Sequence, residues 1–359
     1  MKNKKYTVCF TLGTFSHKPS GGVKMVFEYA NRLTELGYDV SILFLNYNSF
    51  CNHHLPKVMK TLLSNFYTQK EPRWFELNPQ IHKYSGTAIV RKFNPDDFDV
   101  VFATSVDTFE PVRKIFKISK KCYFIQGYEN WGGITDEYVQ STYKMGFKNI
   151  VVSKWLKDIV DKYADEPSTY IKNPIDLSVY KVINSQESRK NHTVGFLYHK
   201  SEIKGLKYTI EVIKRLKERY PDLEAYAFGA TKDQKDLPEW VNYTNHASAK
   251  QTVDIYNKIN VWICGTVQEG FGLTGIEAMA CGAALVSTNY IGVREYAVDG
   301  YNSLLSPIKD IDALESNVIR LFEDSDLKNK LVENGLKSAK DFSWDEAVRK
   351  LNEMLIALM

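Results

Sequence analysis

Cysteine is scarce: five residues in 359 (Cys9, Cys51, Cys122, Cys264 and Cys281), odd in number and far apart. No C-x-x-C pair or Cys/His cluster occurs, which removes a zinc module and a disulfide framework from consideration. The thiols read instead as buried groups of a reducing cytoplasm. Eleven prolines and twenty glycines are too few for collagen-like or Pro/Gly-rich disordered material. No apolar run approaches the roughly 18–20 residues of a membrane span. The stretch at Tyr6–Leu12 ends without a small-residue cleavage site, so it reads as a first core strand and not as a leader. Strong charge of one sign is also missing. The net charge is +4, split as +6 over residues 1–180 and −2 over 181–359. That suits an anionic surface or acidic acceptor and is too weak for nucleic acid.

What the chain does have is alternation. Tyr6–Leu12 is apolar, a loop ends in Gly21-Gly22, and Val23, Val26, Phe27, Ala30, Leu33 and Leu36 recur at helical spacing before Gly37. Val40–Leu45 is the next apolar run, so strand, helix and strand form a βαβ unit whose crossover implies parallel pairing. Strands recur at Val100–Ala103, Tyr123–Ile125 and Ile150–Val152. Asn173-Pro174 and the polar NSQESRKN interrupt the pattern, which restarts with a strand at Thr193–Leu197 and a helix at Leu206–Arg219. Strands at Ala225–Phe228, Val261–Cys264 and Ala284–Ser287 follow, with helices at Lys250–Ile259 and Leu273–Ala280. Late helices are expected at 310–323, 326–340 and Trp344–Met359. The expected fold is α/β with two Rossmann-like domains, 1–175 and 176–343, each holding a parallel sheet. The default ligand site is a cleft between them.

The segment richest in chemistry is Glu269-Gly-Phe-Gly-Leu-Thr-Gly-Ile-Glu277, between a strand and a helix. Gly270 and Gly272 let backbone approach a ligand, and free N–H groups at a helix start favour phosphate. Glu269 lies before the helix and Glu277 about a turn and a half inside it, so one ligand could touch both. Ionised carboxylates accept hydrogen bonds and do not donate them, which suits sugar hydroxyls. Read alone, either glutamate is equally a solvated helix residue. The Gly21-Gly22 loop lacks G-x-G-x-x-G, which counts against a nicotinamide or flavin enzyme.

This segment resembles the two-glutamate signature of the retaining glycosyltransferases of glycosyltransferase family 4. The likeness extends to ACGAALVST, Gly292-Val-Arg-Glu295, Asp299-Gly300, Leu304 and Pro307, and more loosely to Gly21-Gly22, Asn173-Pro-Ile-Asp176, Lys204-Gly205 and FSW at 342–344. It implies a GT-B architecture, two parallel-sheet domains facing across a cleft, with acceptor on the first domain and donor mainly on the second. The helix at 344–359 would pack back on the first domain. Glu277 would hold the nucleotide ribose, while Glu269 and the backbone of Gly270, Phe271, Gly272 and Leu273 would hold the donor sugar. Lys204 would meet the diphosphate, with Gly21 and Gly22 facing it from across the cleft. The family's usual arginine five or six residues before Lys204 is replaced by His199 and Tyr198, so the second phosphate contact falls to the adjacent Lys200. The family's acceptor-loop histidine is also missing, since Gln126-Gly-Tyr128-Glu129-Asn-Trp131 stands in that loop. His17, Gln126 and Tyr128 are the candidates on the acceptor side, and Ser153 resembles a recurrent family serine that is equally a helix cap.

Together these imply a cytoplasmic, metal-independent hexosyltransferase at the inner face of the membrane. It would have no cofactor, with a nucleoside diphosphate sugar as co-substrate and a glycan or lipid-linked glycan as acceptor. The IQGYENW and SKWLKD segments resemble bacterial enzymes of surface-glycan synthesis, some of them rhamnosyltransferases. RKIFKISKK at 113–121 puts Arg113, Lys117, Lys120 and Lys121 broadly on one side; it reads first as the charged solvent face of an ordinary Rossmann helix, and otherwise as a basic amphipathic helix able to rest on anionic lipid. Two other readings share the pattern. One is a GT-B nucleotide-sugar 2-epimerase, which turns over donor without acceptor. The other is a catalytically silent sugar-nucleotide-binding partner, left open by the altered arginine position.

Overall fold

The computed structural model describes residues 5–47, 49–50, 54–86, 93–130 and 132–359; Cys51 and Trp131 lie outside them. The chain divides into two compact units, residues 1–172 with 345–359, and residues 173–344.

In the first unit seven strands pair in parallel: β1 (Thr7–Leu12), β2 (Asp39–Phe44), β3 (His82–Ser85), β4 (Val100–Ala103), β5 (Lys120–Ile125), β6 (Lys148–Val151) and β7 (Thr169–Tyr170). Their order is β3-β2-β1-β4-β5-β6-β7. Central strands of such a sheet are covered on both faces and so read as continuous apolar runs. Phe10 and Phe102 stack with ring centres 4.6 Å apart. Helix α1 (Gly21–Glu35) turns Val26, Phe27, Ala30 and Leu33 inward, and Gly37 closes it at φ 95°. Next come α2 (Lys57–Lys70), α3 (Val106–Ile115), α4 (Asp136–Thr142) and α5 (Lys154–Tyr163). The final helix, α11 (Trp344–Leu358), is tied to this unit where the Tyr38 hydroxyl donates to Asn352 Oδ1 at 2.7 Å.

The 113–121 run is not one amphipathic helix, and that expectation is corrected here. Helix α3 ends at Ile115, and Lys120 and Lys121 already belong to β5. Phe116 is buried against Phe93 and Phe98, which stops the run from presenting one apolar face. Arg113 and Lys114 pair with Glu110 on their own helix.

The second unit has six parallel strands, β8 (Thr193–Tyr198), β9 (Glu224–Gly229), β10 (Asn242–Asn245), β11 (Val261–Cys264), β12 (Ala284–Thr288) and β13 (Ser303–Ser306). They run in the order β10-β9-β8-β11-β12-β13. Helices α6 (Leu206–Arg219) and α9 (Ile311–Glu323) cover one face, meeting Val261 and Ile263. Helices α7 (Ala249–Lys258) and α8 (Leu273–Ala280) cover the other, meeting Trp262, and α10 (Ser325–Ala339) packs beside α8 and α9. Trp262 stacks on Phe228 at 5.6 Å and meets Tyr256 edge-on at 5.0 Å. In each sheet the order reverses once, between β1 and β4 and between β8 and β11. Loops leaving the carboxyl ends of strands at such a reversal are where open α/β sheets bind ligands.

Candidate functional site

At the β8/β11 reversal of the second unit, the loops after the two strands touch. The Val267 and Gln268 amides both donate to the Ile203 carbonyl, at 2.8 and 3.1 Å. That contact sets Lys204 against Glu269 in a half-buried ion pair. Gly205 follows in the left-handed region at φ 62°, and its Cα lies so close to Gly265 that no side chain fits.

The Gly-rich turn into α8 is held from beneath. Gly272 is the residue before the helix at φ 92°, and a Cβ there would lie 1.9 Å from the Tyr290 hydroxyl. Tyr290 and Tyr296 are buried and donate to the carbonyls of Phe271 and Gly272, at 3.4 and 2.7 Å. These bonds fix the turn from below; the Gly272 carbonyl also accepts from the Gly275 amide at 3.1 Å, and the Leu273 and Thr274 amides ahead of it open the helix. Phe271 contributes backbone only, since its ring packs between Tyr296 and Phe342. Gly270 is kept close to the β12–β13 connection, where a Cβ on Gly292 would come within 2.7 Å of it. Four residues into α8, beyond Leu273, the Glu277 carboxylate is buried and accepts from the Tyr256 hydroxyl at 3.2 Å. Tyr256, Tyr290 and Tyr296 stand among mixed polar and apolar neighbours, and nothing in the sequence marks them for this site.

Lys200 does not join the Lys204–Glu269 pair; its ammonium bonds Asp233 at 2.6 Å, drawn by two carboxylates in the β9–β10 connection. His199 is the neighbour within electrostatic reach of both Lys204 and Glu269. Burial, and then Lys204, hold its imidazole below its ordinary value. Its Nδ1 accepts from the Ser201 amide at 3.1 Å, which leaves the proton of the neutral ring on Nε2. The site thus carries a neutral N–H donor next to a cation. Among the described residues no three His, Cys, Asp or Glu side chains gather as a metal-ligand group.

In the first unit, Gly21 and Gly22 form the first turn of α1, and Ser20 makes no side-chain bond to it. A Cβ on Gly22 would lie 3.3 Å from Gln126 Nε2, so the glycine lets the β5–α4 loop close onto the helix start. Tyr128 accepts from Gln140 at 3.1 Å. His17 is half exposed; its Nδ1 is 2.8 Å from the buried Glu71, and its ring meets Phe15 and Tyr67. Ser153 precedes α5 and is buried without a side-chain bond to the helix amides.

Glu129 is a residue that sequence reasoning left without a role. Its buried carboxylate accepts from the Val106 amide at the start of α3. Burial, and then Asp107, push the carboxyl up to about 7, against the pull of that amide. A carboxyl raised in the folded state binds its proton more tightly there than in the unfolded chain. Stability should therefore fall as pH rises from about 4.5 to about 7. Glu129→Gln, which keeps the shape, is expected to flatten that slope and gain on the order of 3 kcal/mol at pH 8. Denaturant melts of both proteins from pH 5 to 8 check this, and parallel curves would refute it.

Residues 183–338 match the family model described as Glycosyl transferases group 1. An uncharacterized glycosyltransferase of Methanocaldococcus jannaschii is 27% identical over 219 residues, 58% of this chain and 60% of that protein. The capsular polysaccharide biosynthesis glycosyltransferase CapM of Staphylococcus aureus is 23% identical over 196 residues, 51% of this chain and 50% of that protein. The match thus spans 60% or less of these relatives' length. The structure of Anabaena HepE in complex with UDP-glucose superposes with a TM-score of 0.72 at 15% identity, over 98% of this chain and 99% of that one. The chain accordingly has the two-Rossmann-unit fold of GT-B glycosyltransferases, and the stretch matching the group 1 glycosyl transferases is the one that holds Lys204, Glu269 and Glu277.

Proposed function

We propose that the protein is a retaining glycosyltransferase of glycosyltransferase family 4, moving a hexosyl group from a nucleoside diphosphate sugar to an acceptor hydroxyl. The observation that carries this reading is the touching pair of loops at the β8/β11 reversal. They place a cation (Lys204), a carboxylate (Glu269) and a glycine-lined helix start together, with a second carboxylate (Glu277) further along the same helix. The resemblance to CapM and to a structure solved with UDP-glucose supports the donor class and a role in surface-glycan synthesis.

In this reading the helix-start amides, Lys204 and the Nε2–H of His199 take the diphosphate, and Glu277 takes the ribose hydroxyls. Glu269 orients the sugar and favours the positive charge that builds on its ring as the diphosphate leaves. Charge already fixed in place at a leaving group supplies several kcal/mol without reorganisation. The diphosphate oxygen receives the acceptor proton on the same face, which retains the anomeric configuration. Residues 173–344 are the donor side. The first unit is the acceptor side, with His17 held by Glu71 and Gln126 against Gly22. Lysine supplies the countercharge, so turnover should withstand a chelator. The acceptor is a glycan or lipid-linked glycan met in the cytoplasm at the inner membrane face.

A thermal-shift panel of UDP-, GDP-, ADP- and dTDP-sugars tests the core of this. One of them at about 100 times its Kd should stabilise the protein by about 2.7 kcal/mol, a rise of roughly 5 °C or more. No shift with any donor, or one that survives loss of both Lys204 and Glu277, would overturn the site. Conversion of donor to its 2-epimer without acceptor would overturn transfer.

A further inference from the structure

Helix α2 is built the wrong way round for a surface helix. The rule is an apolar stripe against the core and polar residues outside. Here the residues buried against the sheet are Ser64 and Thr68. Thr68 is held by a hydrogen bond, its Oγ1 accepting from Asn46 Nδ2 at 2.9 Å, and the same amide reaches Ser85 at 2.9 Å. Tyr67 adds stacking on Phe15 at 5.6 Å. The helix is thus anchored by the Thr68 hydrogen bond, the Tyr67 ring and the partly buried Leu63, while the buried Ser64 hydroxyl makes no hydrogen bond. Its outward arc is apolar: Val58 is 70% exposed, Leu62 62%, Phe66 50% and Met59 48%. Val58, Leu62 and Phe66 recur every four residues, in line along one face.

We propose that this face of α2 docks on an anionic lipid bilayer. The charge on the helix selects the occupant. Its sequence, KVMKTLLSNFYTQK, contains three lysines and no acidic residue. Lys57 and Lys70 stand at its two ends, and Lys70 lies over the Phe66 ring at 4.3 Å, at the margin of the apolar arc. A helix of this length is about 21 Å long, so cations at both ends and apolar side chains between them fit a helix lying in the plane of a headgroup layer. A second copy of the chain fits poorly, because a twofold contact through this face would set lysines against lysines. The helix belongs to the half of the sequence with net charge +6. The proposal replaces the 113–121 run as the point of membrane contact. It does not rest on the transferase reading.

The test is co-sedimentation of the full chain with vesicles of phosphatidylcholine alone or mixed with phosphatidylglycerol. Binding is expected to the mixed vesicles, and to weaken as salt is raised. Leu62→Glu/Phe66→Glu should weaken it about tenfold or more, and replacing Lys57, Lys60 and Lys70 by Gln should abolish the preference for phosphatidylglycerol. Ile118→Asp, in the 113–121 run, should change nothing. An unaltered melting temperature shows that the exposed substitutions leave the fold intact. The proposal fails if mixed vesicles do not bind, if the Leu62/Phe66 variant binds as well as wild type, or if Ile118→Asp is the variant that releases the protein. It also fails if sedimentation without lipid shows a dimer that the same double substitution dissociates, since a second copy is then the occupant.

Discussion

Lys204→Ala is expected to slow donor cleavage about 100- to 1000-fold, the usual loss when one preorganised charge at a leaving group is removed. Glu277→Ala is expected to weaken donor binding about 10- to 100-fold with a smaller effect on turnover. The difference follows from where the two groups sit. Glu277 is buried in α8 and orientated by Tyr256, and in the proposed reading it meets a part of the donor whose charge does not change during reaction. Lys204, in the same reading, lies where charge develops, and it also neutralises Glu269. Removing it leaves a half-buried carboxylate beside the diphosphate, so part of the loss is repulsion. The pair Lys204→Ala/Glu269→Gln should therefore bind donor better than Lys204→Ala alone. Single-turnover cleavage and calorimetric donor titration separate the two quantities. Wild-type behaviour in both single variants would remove the site.

Much of this arrangement was legible before the structure, and the reason is local. Helix α8, strand β11 and helix α6 lie where apolar periodicity and bounding glycines set them, because each buries its own apolar face. Strands β3 and β10, HKYS and NYTN, carry no such signal: they are edge strands, paired on one side only and partly exposed. Helix α2 is concealed for the opposite reason, since its apolar residues face outward. At the site, Lys204, Glu269 and Glu277 stand out through the resemblance of Lys204-Gly205 and the two-glutamate segment to the family's motifs. The residues that hold them do not. Tyr290 and Tyr296 reach the α8 turn from the β12–β13 connection, a tertiary contact that no short-range pattern encodes. His199 and Lys200 are neighbours at the end of β8, and only the position of Asp233 decides which of them stays near Lys204.

Gly205→Ala should be the most destructive single methyl in the second unit. The backbone at 205 has φ 62°, which costs an L-residue roughly 1–2 kcal/mol before any contact is considered. The added Cβ would then lie 1.8 Å from the Gly265 carbonyl oxygen and 2.7 Å from its carbon. Both are backbone atoms, so no side chain can swing aside. Gly265 packs against the same turn from its own side, since a Cβ added there would lie 2.6 Å from Thr209 Oγ1 and 3.0 Å from the Gly205 carbonyl oxygen. The loops must part, breaking the hydrogen bonds that the Val267 and Gln268 amides donate to the Ile203 carbonyl and separating Lys204 from Glu269. A loss of about 4 kcal/mol or more is expected, a fall in melting temperature of roughly 10 °C. Cleavage should be lost even at temperatures where the variant remains folded. Gly13→Ala is the control: nothing lies within 4 Å of its Cβ position, so its melt should hardly move. If Gly205→Ala melted with the control and still turned over donor, the loops after β8 and β11 could not be in contact, and the site built on that contact would be lost with it.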